Sequence, residues 1–465
     1  MTYRQLLAGN RDFRLLWSGQ VVSEIGDWLN NIAVLALTLE LAGPGQMGRA
    51  IALYAIARHL PLFMFGPIAG VVVDRIDRRR VMIAADVVRA ALALVFLLAN
   101  LWQSLTLIYT VGAAMFAVAA FFNAAKRAAI PNIVHGTEEL LNANSLSAST
   151  TAATIAIGSA LGGLIATFIA RDLVFGLNSL TFLLSAVIIR RIHARMSQQK
   201  MERRPSELEG DGRAKVLNAG RAIPSTFRFP TTAFYFIRRA AGDFGEGLRY
   251  VRNDFTLTLI FVAAAGWGLG NGAARALYSI FGARLGESAA FGWVARPADF
   301  GISVLFVAMG LGGMMGAPVA RRFSRGAGAS LGARMGRSMM LDGAGLFTFS
   351  LIPNLWGAAA VLVAREMNFA IWWTAQQTIM MQRTDDRYAG RVFASYETLT
   401  TLMMVGAIYV SGLAADIYDI RVVAAAGGAI ITLSGLTWFV LRRSQRSDEL
   451  PRRGRGESEA EESTV

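Results

Sequence analysis

Long apolar runs alternate with short polar breaks almost from one end of the chain to the other. Twelve of these runs, at 14–41, 49–71, 81–100, 105–130, 142–170, 173–192, 255–282, 301–320, 336–353, 355–381, 392–416 and 422–441, reach roughly the twenty residues that a helix needs to cross a bilayer core. Hydrocarbon offers no water to backbone N–H and C=O groups, so runs of this length are predicted as helices that satisfy those groups internally. The expected fold class is an all-α polytopic membrane protein of twelve transmembrane helices. One break is long: 193–254 carries Glu202, Arg203, Arg204, Glu207, Glu209 and Asp211 with several Gly and Pro, as a linker would, with a short surface helix expected near 240–254. After Arg442 the chain turns basic and then acidic through Glu457–Glu462, a tail expected to be disordered. The division is therefore a six-helix unit over 1–192, a central loop over 193–254, a second six-helix unit over 255–441 and a tail over 442–465.

Charge sets the orientation. The break after the second run, Gly70 to Arg80, holds Asp74 and the arginines Arg75, Arg78, Arg79 and Arg80, and short cationic loops favour the cytoplasmic face. With the N-terminus inside, 37 of the 46 Lys and Arg fall in inside segments, 5 in outside loops and 4 (Arg58, Arg89, Arg275 and Arg365) within spans. Both termini are expected in the cytoplasm and the protein in the cell inner membrane. A net charge of +14 invites nucleic acid as a partner, but the arginines are spread over loops and gather on no soluble face. The bilayer is the expected partner, and no nucleic acid. With no cysteine in the chain, disulfides and Cys-based metal or redox sites are excluded. Met1 to Asn10 lack the pattern of a cleaved signal peptide, so the first span is expected to stay.

The linker divides the spans six and six, and the halves echo each other. Asn253-Asp254-Phe255 before the seventh span matches Arg11-Asp12-Phe13 before the first, an offset of 242, and Gly316 to Arg322 after the eighth matches Gly70 to Arg75 after the second, an offset of 246. A duplicated six-helix unit is predicted, giving two pseudo-symmetric bundles. In these features the chain resembles the major facilitator superfamily. Gly70, Asp74, Arg75, Arg78 and Arg79 fit that family's loop signature Gly-x-x-x-Asp-Arg-x-Gly-Arg-Arg, with Asp77 at the second Gly. Asp27, Asn31 and Ala33 are similar to the Asp-x-x-x-Asn-x-Ala signature of first helices in drug-exporting branches. Gly158-Ser-Ala-Leu-Gly-Gly163 resembles the antiporter signature Gly-Pro-x-x-Gly-Gly, with Ser159 in the Pro position. Asn10 to Trp17, Ala57 to Pro61 and Ala129 to Asn132 are similar to the macrolide-efflux and enterobactin-exporter-like branch. The resemblance implies a monomeric secondary transporter with a small-molecule substrate, the proton as coupling ion and no cofactor. It also implies a gating role for the loop at 70–80, clamping the cytoplasmic side near Arg391 when the carrier opens outward. The fourth span lacks the Arg of the usual exporter signature: its Lys126 and Arg127 lie at the cytoplasmic end.

A charge at bilayer depth costs roughly 2.5–3.5 kcal/mol, so each one asks for a reason. Glu24 and Asp27 stand one turn apart near the middle of the first span. They read either as carriers of a proton or substrate, or as partners of a basic residue such as Arg58 that lock helices together. Asp86 and Arg89 are three apart and read as an internal salt pair. Arg58 is open between charge partner and cavity lining, and His59 between a titrating and a structural role. Arg365 and Glu366 are adjacent mid-span, so they point about 100° apart and one of them should meet another helix or water. Glu397, Asp342 and Arg275 lie nearer span ends, where snorkelling suffices. Trp372, Trp373, Gln376 and Gln377 read either as helix packing or as a site for a flat amphipathic substrate. Gly158, Gly162 and Gly163 form a small-residue face for close packing, expected at the interface between halves, and Gly266, Gly268, Gly270 and Gly272 do the same for the seventh span or bend it. No dinucleotide or P-loop fingerprint, zinc helix or nucleophile turn is present, which argues against an enzyme. The expected function is export of an amphipathic small molecule by proton antiport. Its rivals are a facilitator or importer of a metabolite or lysolipid, and a non-transporting receptor or scaffold.

Overall fold

The computed structural model describes residues 2–194, 242, 244–289, 292, 294–323 and 328–462. Among them the chain is helical and holds no strand. Its long helices are α1 (Arg11–Ala42), α2 (Met47–Arg75), α3 (Arg78–Leu101), α4 (Leu105–Ile133), α5 (Gly136–Phe168), α6 (Arg171–Arg190), α7 (Phe255–Ser288), α8 (Pro297–Phe323), α9 (Gly328–Leu351), α10 (Leu355–Arg383), α11 (Asp386–Ile417) and α12 (Ile420–Glu462). Two short helices precede α1 and α7, at Tyr3–Gly9 and 244–252. By length and apolarity, 10 of the long helices can cross a membrane. The other two, α9 and α10, carry Asp342, Arg365 and Glu366 along their length, and these charges lower the mean hydropathy of any window that spans them.

The breaks fall where capping chemistry allows. The side chains of Asn10, Asp77, Ser104, Asp254 and Asn354 each accept a backbone N–H of the helix they precede, which satisfies one of the orphan donors of a helix start. Asp77, which stands where the resemblance leads one to expect glycine, is thereby the N-cap of α3. Of the central loop assigned to 193–254, residues 195–241 lie outside the described residues. At the other end the structure departs from the disordered tail expected beyond Arg442, because α12 continues as helix to Glu462. Extending an existing helix needs no new nucleus, although Pro451 within it supplies no N–H.

The halves pack alike. In the first, α1 lies against α5 and α6, α2 against α4, and α3 against α4 and α6; each pair recurs in the second half six helices later. The contacts between halves obey the same exchange, α2 meeting α11 and α5 meeting α8. Small residues make these approaches possible. A Cβ on Gly48 of α2 would lie 2.1 Å from the carbonyl oxygen of Gly412 on α11. On α5, Gly158 and Gly162 back onto α1 of their own half, at Ile25, Trp28 and Leu29, whereas Gly163 meets Ser303 of α8. The expected glycine face is thus two faces, and only Gly163 lies at the interface between halves. On α7, Gly266 and Gly270 face α12 while Gly268 and Gly272 face α11, each pair four residues apart on one side of the helix.

The two ends of the interface differ. On the face away from the chain termini the halves are fastened. The Asp416 carboxylate of α11 accepts from the backbone N–H groups of Gly48 (2.7 Å) and Arg49 (2.9 Å) at the start of α2, whose own N-cap Gln46 makes no side-chain cap. Beside it, Arg171 of α6 holds Asp299 of α8 through two hydrogen bonds of 2.7 and 2.8 Å and also reaches Glu40 of α1, while Arg296 donates to the carbonyl of Ala166 at 2.7 Å. On the terminal face, Arg321 donates to the Tyr3 hydroxyl at 3.1 Å, and beside that contact a cavity of about 790 Å³ rises between the halves.

The loop at 70–80 belongs to this open face. Asp74 and Arg75 are exposed and Gly70 has open space where a Cβ would be. Arg79 donates to the Ile192 carbonyl at 2.6 Å, within its own half, and Arg78 is buried. Arg391, the expected partner of this loop, is instead 2.8 Å from Glu246 of the 244–252 helix.

Asp416→Ala leaves two backbone donors at the start of α2 uncapped and is expected to loosen the far face. In proteoliposomes, a cysteine placed at Leu35 should react several-fold faster with an impermeant maleimide added on that face; an unchanged rate would show that Asp416 does not hold it shut.

Candidate functional site

The interior of the interface is polar only in patches, and each patch is built by several helices. In the first half, Arg89 of α3 is 2% exposed and lies between the rings of Phe122 and Phe182, at 4.5 and 4.3 Å. It makes a close ion pair with Asp86, one turn earlier on the same face, donates to Ser23 at 3.2 Å, and meets Asp27 of α1 at 3.3 Å. Two carboxylates thus share one guanidinium. They are not equivalent, since Asp86 is fully buried while Asp27 is 31% exposed.

Glu24 goes elsewhere. Lys126 of α4 reaches it at 3.1 Å, and Gln20, Thr151 and Thr154 donate to it at 2.9, 3.2 and 3.1 Å. Although Glu24 and Asp27 stand one turn apart, they therefore serve different helices. The expected ion pair between these acids and Arg58 is not formed. The Arg58 guanidinium donates instead to the Asn31 side-chain oxygen and lies over the rings of Trp28 and Phe116, at 5.0 and 4.9 Å.

The second half repeats the theme with other residues. Arg365 of α10, 4% exposed, donates from Nη2 to Asp342 of α9 and to Asn271 of α7, both at 3.1 Å, and also reaches the Tyr278 hydroxyl. Its Nε stands 3.1 Å from the second Asp342 oxygen, close enough to attract but turned from hydrogen-bond geometry. Glu366 is 3.6 Å from the same guanidinium. Again two carboxylates share one arginine: Asp342 is sealed in, and Glu366, 18% exposed, lines the cavity. Asp342 does not snorkel, as its place toward a span end had suggested; Trp267 donates to it at 3.2 Å and it is 1% exposed.

Among the aromatic candidates, Trp372 is 1% exposed and stacks on Trp267 with ring centres 4.9 Å apart, and Gln376 is equally buried. Trp372 thus packs α10 on α7, while Gln376 lies toward Met380 of its own helix and Tyr396 of α11. The cavity is lined instead by Trp373, Phe369 and Trp28, because the residue after Trp372 points about 100° away around the helix. Above this wide cavity lies a smaller pocket of about 80 Å³, lined among others by Asn31, Tyr54, Arg58, His59, Arg275 and Tyr278. Arg275, Lys126 and Asp342 are the functional candidates that span-end reasoning passed over. Among the described residues no cluster of His, Asp or Glu suited to a metal ion is present.

The cavity between the halves has room for a small molecule, with an arginine and two carboxylates at each side of it. The profile of the Major Facilitator Superfamily matches residues 16–408. A Bacillus subtilis protein named bacilysin exporter BacE is 25% identical over 429 residues, which cover 91% of this chain and 92% of that one. Macrolide efflux protein A of Streptococcus pyogenes is 35% identical over 79 residues, 17% of this chain and 19% of its own. Among solved structures, a bacterial homologue of the iron transporter ferroportin in its inward-facing state superposes with a TM-score of 0.63 at 13% identity, over 92% of this chain and 98% of that one.

Removing one partner of a buried ion pair leaves the other charge uncompensated, at a cost of about 3–5 kcal/mol. Asp342→Ala is expected to fall at the lower end of that range, since Arg365 keeps Glu366, Tyr278 and Asn271. Thermal unfolding in detergent would check it, and Asp342→Leu/Arg365→Met should lose less than the two single variants added together; strict additivity would deny the coupling.

Proposed function

The chain belongs to the Major Facilitator Superfamily, and from that premise we propose that it is an exporter, moving an amphipathic small molecule out of the cell by alternating access in exchange for protons. It is a multi-pass transporter of the membrane. The observation that carries the proposal is the cavity of about 790 Å³ between two matched halves, shut at one face by Asp416 and Arg171 and open at the other, with a half-shared carboxylate in each half.

The excess of Lys and Arg on the terminal face supports a cytoplasmic location for it. The cavity then opens to the cytoplasm, where a substrate for export would enter. Trp28, Phe369 and Trp373 give it aromatic walls, with Met309 and Met314 as adaptable apolar ones, a lining suited to flat amphipathic molecules. The names of the bacilysin and macrolide exporters favour outward transport of such compounds.

Asp27 is the first candidate for the proton. Arg89 already has the sealed Asp86, so a proton arriving on Asp27 neutralises the surplus carboxylate without stranding the guanidinium. With that charge removed, α1 is free to move relative to α3. Glu366 has the equivalent place beside Arg365 and Asp342. Glu24, with one cation and three neutral donors to itself, is better read as a fixed anchor between α1, α4 and α5.

Asp27→Asn should abolish pH-gradient-driven efflux in vesicles while the protein still inserts and folds. Glu24→Gln should leave the gradient dependence in place. Full proton-coupled efflux by the Glu24→Gln/Asp27→Asn variant would remove both residues from the coupling. Uptake of substrate with no export on deletion would favour the importer.

A further inference from the structure

We infer that the pocket above the wide cavity is an anion site, in which Arg58 of the first half and Arg275 of the second together hold the acidic group of an amphipathic organic anion. This rests on the reading of the cavity as the substrate site and names the class of molecule it takes.

Charge at membrane depth is matched almost everywhere. Arg89 is shared by Asp27 and Asp86, Lys126 meets Glu24, and Arg365 meets Asp342 and Glu366. These pairings occupy Glu24, Asp27, Asp86, Asp342 and Glu366, and Glu397 stands apart on α11, exposed near its cytoplasmic end. Among the described residues two cations make no ion pair, although Asp27 acts on Arg58 and Glu366 on Arg275 at longer range. Arg58 meets the neutral oxygen of Asn31 and the faces of Trp28 and Phe116. Arg275, exposed toward the interior, makes no ion pair or hydrogen bond among the described residues. Both line the same pocket of about 80 Å³, with His59 beside them. Glu366 shares the wide cavity with Arg275, but its carboxylate is 3.6 Å from Arg365.

Two cations around one small pocket select the sign of what enters. An ammonium would be repelled by both, and a neutral group would leave both without a counter-charge. A carboxylate can accept paired N–H donors from each guanidinium fork, and the pocket has room for a head of that size. Asn31, Tyr54 and Tyr278 add polar groups around it. The pocket and the wide cavity share Trp28, Arg275 and Met309 in their linings. The apolar part of the ligand therefore continues downward past Trp28 toward Phe369 and Trp373. Because α2 and α7 belong to different halves, a bound anion also draws the halves together at the level where they must meet when the terminal face closes.

N-dansyl-phenylalanine and its neutral carboxamide are suitable probes, read by dansyl fluorescence on the full chain in nanodiscs. The acid should bind at least about tenfold tighter than the amide, as expected for hydrogen bonds between ionised groups. Arg58→Gln and Arg275→Gln should each bring the two probes to near parity, Arg58→Lys/Arg275→Lys should keep part of the preference, and Arg275→Glu should weaken the acid further. A melting curve for each variant separates lost binding from lost fold. Equal binding of acid and amide, failure of the acid to bind, or a preference that survives in Arg58→Gln/Arg275→Gln would each overturn the site. Transport of the same probes into everted vesicles is scored separately. Acid-selective binding without transport would leave the anion site standing and remove the exporter reading, whereas transport that ignores the carboxylate would do the opposite.

Discussion

The cost of placing charge in hydrocarbon governs this structure. An ion at bilayer depth is tolerated when it is paired or wet, and the helices are arranged so that most ions are paired and a few are wet. Arg89 and Arg365 are the fixed points, each sealed by apolar or aromatic neighbours and each gripping one buried carboxylate. Around each grip a second carboxylate is held more loosely, Asp27 in one half and Glu366 in the other. The sealed partner keeps the arginine compensated whatever happens to the looser one. That arrangement permits a change of charge without the penalty of an orphaned ion.

The two halves reach this common arrangement by different routes, and that difference decided what could be read from the sequence. Asp86 and Arg89 lie three apart on one helix, and their pairing follows from helical spacing alone. Asp342 and Arg365 sit on different helices, so no local pattern joins them, and Asp342 looked like a residue near enough to a span end to reach water. Arg58 posed the reverse problem. Its position suggested a partner for Asp27 or Glu24, but Arg89 and Lys126 had already taken both. Lys126 was legible as a cytoplasmic-end lysine; that it reaches back to Glu24 depends on the approach of α4 to α1. Trp372 and Trp373 show the limit most simply: periodicity says that adjacent residues diverge, but not which of them meets the cavity.

The architecture itself was legible because its signals are long. Twelve apolar runs, a break of some sixty residues after the sixth and the paired echoes before the first and seventh runs and after the second and eighth specify two like bundles before any contact is known. The glycines specified close packing but not its target. Gly158 and Gly162 lie four apart and share a face, the one toward α1, whereas Gly163, one position on, is turned toward Ser303 of the other half. The interface between halves therefore depends on single residues more than on the whole motif.

The cap that Asp416 places on the first turn of α2 bears on the resting behaviour of the empty protein. A helix cap contributes about 0.5–2 kcal/mol, a few times thermal energy at most. A catch of that strength biases a balance of conformers several-fold without locking it. Arg171 and Asp299 hold the same face through two hydrogen bonds, so release of the cap alone tilts that balance and leaves the rest of the seal to the ion pair.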